Sequence, residues 1–153
     1  CLEKLSDEEI WWRPNDGSNS IGNLLLHLSG NVGQWITSGV GERPDTRARQ
    51  AEFDERRILS RAVVLKRLQE TLAEADEVLA SIVPSGLLEP RHIQGTDVTV
   101  LEAVFHVVEH FSMHTGQIIL LTKLLKDEDL RFYDFSSGVP VESWQEPPGQ
   151  SSH

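Results

Sequence analysis

Three histidines, His106, His110 and His114, recur at four-residue steps in the run FHVVEHFSMHTGQI. A step of four advances an α-helix by about 40° beyond a full turn, so the three imidazoles form one slightly winding stripe. The neighbouring residues are apolar and helical in period. Neutral imidazole is the commonest protein ligand for zinc and related ions, and a histidine ladder in an apolar helix points first to a metal. The pair His110 and His114 has the i, i+4 spacing that lets two rings converge on one ion. Two ligands bind weakly; a third must come from another helix, and the only histidine in another predicted helix is His27, in NLLLHLSGN. The set His27, His110 and His114 would leave an open coordination position, the arrangement of catalytic rather than structural sites. An ion there would lower the pKa of a bound water and polarise an oxygen or sulfur ligand. A soft thiolate substrate suits zinc or nickel.

Each residue also has a plainer reading. His106 is either a core histidine bonded to a backbone carbonyl or a supporting group behind the ligands. Gln117, one turn beyond His114, orients a ligand or packs against a neighbouring helix. Asn31, one turn from His27, supports the site or satisfies a backbone group. His92 sits in a loop beside Arg91 and reads as solvated, and His153 is terminal. No residue is assigned as a catalytic acid or base. The string His106-Val-Val-Glu109-His110 matches H-x-x-E-H, the inverted metalloprotease pattern. That class needs a downstream acidic ligand and a larger mixed fold, and Glu109 projects toward the polar flank. No G-x-S-x-G elbow supports a serine hydrolase.

Three amphipathic helices are predicted to carry these groups. The first runs from about Ile21 to Ser38, capped by Ser18, Asn19 or Ser20, with an apolar stripe through Leu24, Leu25, Leu28, Val32, Trp35 and Ile36. The second runs from about Ser60 to Val83, burying Leu65, Leu68, Leu72, Ala75, Leu79 and Ile82. The third is capped by Thr96 or Asp97 and ends near Lys126. Residues 42–56 read as a polar connection over the surface, and residues 87–96 as a loop with a short extended piece. Residues 1–10 read as the last turns of an earlier helix whose start is missing from the chain. The expected architecture is an all-α bundle over residues 1–135 with an irregular tail over 136–153.

The 153 residues suffice for one domain with a real core, with 39% hydrophobic and 25% charged residues. A formal net charge of -10 argues against sequence-independent nucleic-acid binding and against docking on an anionic membrane. The single cysteine, Cys1, forms no internal disulfide, which fits a reducing cytoplasm. No run reaches the roughly 20 apolar residues of a membrane span.

From about Leu2 to Tyr133 the chain resembles the DinB/YfiT-like superfamily, close to one of its uncharacterised bacterial branches. The likeness lies in WWRPNDGSNSIGNLLLHLSGNVGQWI and VVEHFSMHTGQIILLTKLL, above all in a histidine pair at four-residue spacing that precedes Gly116, Gln117 and Ile118. The resemblance implies a four-helix bundle with a long crossover and a divalent metal (zinc, nickel or iron) on His27, His110 and His114. It also implies an intracellular bacterial protein and, frequently, a homodimer. Characterised relatives include transferases and isomerases that use a low-molecular-weight thiol, and metal-dependent hydrolases. The expected partner is therefore a small-molecule substrate, with a thiol as cosubstrate. The rival expectation is a non-catalytic module, stapled by metal, that dimerises or binds a ligand in a stress response.

Overall fold

The central element carries no Asp, Glu, Lys or Arg, and its position follows from that. Helix α2 (Ile21–Val32, IGNLLLHLSGNV) is buried along almost its whole length. A helix without a charged face belongs in the middle of a bundle, here with Asn23, His27 and Asn31 as a buried polar stripe. In the computed structural model, which describes residues 1–142, α4 (Arg61–Ser81) packs on one flank of α2 and α5 (Val100–Lys126) on another. The short α1 (Asp7–Trp11) lies against α2, and α3 (Arg49–Asp54) packs on α2 from within the long connection to α4. Helices α1, α2, α4 and α5 build the all-α bundle, and no described helix is long and apolar enough to cross a membrane.

Local signals set the boundaries. Ser20 accepts from Asn23 N–H, and the Asn23 side chain returns to the Ser20 backbone, a reciprocal cap at the start of α2. Ser60 caps α4 and Thr99 caps α5, the latter paired with Glu102. The start of α5 differs from the sequence expectation, because Thr96 and Asp97 lie within a strand that runs on to Thr99. Only Thr99 has a glutamate three residues downstream to close the box. Residues 1–10 are also corrected. Leu2–Lys4 is a single 3-10 turn, and Ser6 opens α1 with its own cap, so these residues are not the end of one helix.

Beyond Val32 the helix continues as a π-helix over Gly33–Val40, closed by Gly41 N–H to Ile36 O at 2.8 Å. Gly22 is required where α1 meets α2: a Cβ there would fall 2.7 Å from the Trp11 ring. Trp11 Nε1 in turn donates to Leu59 O at 2.8 Å. The extended piece expected in 87–96 is a hairpin of β1 (Pro90–Ile93) and β2 (Thr96–Thr99). Its turn residues Gln94 and Gly95 have φ of 54° and 79°, the primed geometry that matches strand twist.

On α4 the buried ridge is Val64, Leu68, Ala75 and Val78. Leu72 and Leu79 are exposed, on the rim of an open apolar groove that runs between α4 and α5 over Val32 and Ile36. Helix α5 ends at Asp127 in the left-handed conformation, with Lys123 and Lys126 in its last turn. After it, β3 (Tyr133–Asp134) pairs antiparallel with β4 (Val141–Glu142). The irregular tail expected at 136–153, with Pro147, Pro148 and His153, lies outside the described residues from 143 onward.

Candidate metal centre

The three histidines meet between α2 and α5. His27 Nε2 lies 3.1 Å from His110 Nε2, and His114 Nε2 lies 3.3 Å from the same atom. One ligand atom from each ring lies within 4.8 Å of the others. Ring centroids are separated by 4.8 Å (His27–His110), 5.0 Å (His27–His114) and 4.4 Å (His110–His114). His27 and His114 are buried, and His110 is partly so.

The far nitrogens fix how the rings are turned. His27 Nδ1 donates to Glu52 Oε2 at 2.8 Å, and His114 Nδ1 donates to Gln117 Oε1 at 2.7 Å. In their neutral forms both rings therefore aim an Nε2 lone pair at His110 Nε2. One ring N–H on His110 can serve one of those neighbours and not both. A cation serves all three. Two imidazole nitrogens on a tetrahedral zinc, each 2.0–2.1 Å from it, would be about 3.3 Å apart, which fits both short separations. His110 Nδ1 is buried without a hydrogen-bond partner, so this ring is oriented by the cluster and its packing alone.

Electrostatics favour the neutral, ligating form. Burial, reinforced by the neighbouring histidines and Arg47, pushes His110 down to about 4. Burial also lowers His114 despite the Gln117 bond, and it lowers His106 despite Glu109. The consequence for stability has a definite sign. An unfolded histidine titrates near 6.5, so between there and about 4 the unfolded chain binds more protons than the folded one. That contribution is complete above about 6.5 and is lost as pH falls through the window. Chelator-treated protein should therefore show a falling urea midpoint between pH 7 and pH 5. The slope should flatten in His110→Ala; an equal slope in parent and variant would contradict the assignment.

The supporting residues divide. Gln117 touches the cluster directly. His106 does not: its ring centroid is 5.7 Å from that of His110, and it stacks on Trp35 at 3.8 Å. Asn31 Nδ2 donates to His106 Nε2 at 3.3 Å, so Asn31 belongs with His106, one turn away. Asn31 Oδ1 and Trp35 Nε1 are buried there without partners. His92 is exposed and bonded to Asp97.

Sequence reasoning missed Arg47, Glu52 and Phe53, all in the connection read as surface. Glu52 is only 5% exposed. Burial pushes its carboxyl up, but hydrogen bonds from Arg47 and His27 outweigh that and hold it below the usual glutamate range. Phe53 lies against His27, with centroids 4.6 Å apart. Phe53 is the one aromatic residue in a charged stretch, and that was the readable hint that the segment docks.

The family described as "Protein of unknown function (DUF1572)" matches residues 1–138. No curated protein matches the chain. Among solved structures, a DinB-like protein from Bacillus cereus ATCC 10987 is similar with TM-score 0.66 and 15% identity, over 81% of this chain and 80% of that one. A conserved protein from Enterococcus faecalis is similar with TM-score 0.65 and 16% identity, over 83% and 87%. At these identities the likeness is one of fold.

Proposed function

The chain belongs to the DUF1572 family, and from that premise we propose that it is a divalent-metal-binding protein whose ligands are His27, His110 and His114. The observation that carries this reading is the convergence of three imidazole nitrogens, two of them 3.1 and 3.3 Å from the third. The finer reading is a metal-dependent transferase that uses a low-molecular-weight thiol, or a hydrolase. Three protein ligands leave room for an exogenous one, and zinc or nickel accepts a thiolate readily. A divalent ion so held supplies Lewis acidity to an oxygen or sulfur ligand. The chain's own contribution is positional. His27 and His114 are locked by Glu52 and Gln117, and burial keeps His110 and His114 unprotonated near neutral pH. His106 and Asn31, one turn along, bond each other outside the ligand set. The resemblance supports a homodimer in a bacterial cytoplasm, with residues 1–135 as the working domain.

One observation favours a second reading. His27 and His114 are only 4% and 8% exposed, as expected for an ion that staples α2 to α5 without turnover.

Elemental analysis of protein purified without an affinity tag tests the first step. The expected content is about one divalent ion per chain, removable by chelator and restored on addition of zinc or nickel. Protein that holds no ion and takes up none on refilling rules the reading out. A screen of cellular thiols against electrophiles then separates enzyme from staple.

A further inference from the structure

We propose that Glu52, clamped by Arg47, is a positioning residue for this metal centre, and that it couples cation binding to the docking of the connection that carries both residues. The inference rests on the metal reading above. Its basis is a pair of opposite charges buried directly behind His27. The side chains of Glu52 and Arg47 are 5% and 4% exposed. Buried charges are costly unless paired, and such a pair is a weak source of stability, so their placement here asks for another reason.

The geometry supplies one. Arg47 grips the carboxylate in a two-pronged fork, Nε to Oε1 at 2.8 Å and Nη2 to Oε2 at 2.9 Å. Its third nitrogen, Nη1, donates to Gln34 Oε1 at 2.9 Å. The fork fixes the carboxylate plane, and Oε2 accepts a hydrogen bond from His27 Nδ1–H at 2.8 Å. Arg47 Nη2 also lies 3.1 Å from His27 Nδ1, but two donors cannot bond each other, and the carboxylate takes both. With Nδ1 committed, His27 can ligate only through Nε2, the atom that faces His110. A carboxylate behind a ligating imidazole also raises its basicity, and removing such a partner typically costs 10–100-fold in metal affinity.

Neither residue stands on a ligand helix. Arg47 lies in the connection and Glu52 in α3, so His27 touches α5 with one edge and the connection with the other. The connection is otherwise fastened to α2 by Asn23 Nδ2, which donates to Glu52 O and Glu55 O at 2.8 and 3.1 Å. Whatever docks the connection therefore sets the ligand, and binding at the ligand must favour docking by the same factor.

Gly30 offers a variant that alters no polar group. It lies one turn beyond His27, and a Cβ there would fall 1.9 Å from Glu52 Oε1 and 2.9 Å from Arg47 Nε. Gly30→Ala must displace the clamp, while alanine's better helix propensity supports α2.

The test compares the parent with Glu52→Gln and Gly30→Ala. Zinc affinity is measured by competition with a chromophoric chelator, and amide exchange over residues 47–55 is followed with and without zinc. Both variants should bind zinc about 10–100-fold more weakly. Zinc should slow exchange over 47–55 in the parent and do so much less in Glu52→Gln. Variants that lose melting temperature but bind zinc within about twofold of the parent would make the pair merely structural and overturn the proposal. Parent exchange over 47–55 that is unmoved by zinc would overturn it too. A parent that binds no zinc would instead remove the metal reading itself.

Discussion

The His110→Ala protein should bind zinc about 10²–10³-fold more weakly than the parent while remaining as stable as the metal-free parent at neutral pH. The affinity loss follows from position. His110 Nε2 is the atom that both other imidazoles approach, at 3.1 and 3.3 Å. Structural zinc sites with four ligands bind with about 10–16 kcal/mol, or roughly 2.5–4 kcal/mol per ligand. Each 1.4 kcal/mol is a factor of ten, so one lost ligand accounts for the predicted range. The stability half follows from burial. His110 Nδ1 is buried without a partner, and protonation of this ring is suppressed to about 4. Removing it deletes an unsatisfied polar atom, which offsets the small cavity left behind. His106→Ala is the control. His106 bonds Asn31 and stacks on Trp35, outside the cluster, so its loss should change zinc affinity less than tenfold. Competition titrations on the three proteins decide the matter. Equal affinity in parent and His110→Ala would remove this histidine from the site.

The contrast between His106 and His110 shows how far a helical pattern reaches. On a wheel the ladder His106, His110, His114 is one stripe, and that stripe does face α2. But each four-residue step turns by about 40°, and a single cation touches only a turn or so of helix. Trp35, from the π-helical stretch of the facing element, takes the first rung instead. Nothing in GQWITSGV announces a π-helix, because its apolar spacing serves an α-helix equally well.

Helix starts at Ser20 and Ser60 and the end at Lys126 were legible because caps act within four residues. The exchange of Thr96 or Asp97 for Thr99 shows where that reading fails. All three residue types can cap, and the choice fell to Glu102. Glu52 and Arg47 were illegible for a different reason. In ERPDTRARQAEFDER every charge looks solvated, and only the tertiary meeting with His27 distinguishes the two that are buried. Leu72 and Leu79 were misread in the same way, since the 3.6-residue period does not say which neighbour is present to cover a position.

Asn23→Ala should cost about 3–5 kcal/mol, a large share of the 5–15 kcal/mol by which a domain of this kind is stable. Asn23 is fully buried and serves two purposes. Its Oδ1 accepts from Ser20 N at 3.2 Å, from Ser20 Oγ at 2.7 Å and from Arg13 Nη2 at 3.2 Å, closing the start of α2. Its Nδ2 holds the carbonyls of Glu52 and Glu55. Alanine would strand those carbonyls and the Ser20 amide, at about 1–3 kcal/mol for each group left buried, reduced where water enters. Asn23→Asp keeps the shape and the acceptor but turns a second oxygen toward two carbonyl oxygens, so it should be no better tolerated. Exposed Asn19→Ala should shift stability by less than about 0.5 kcal/mol. Urea unfolding of the metal-free proteins gives the comparison, and Asn23→Ala within 1 kcal/mol of the parent would refute the assignment. The same variant reaches the site from behind. Freed from Asn23, the stretch 52–55 no longer holds Glu52 against His27, so zinc affinity should fall in Asn23→Ala although all three ligands remain.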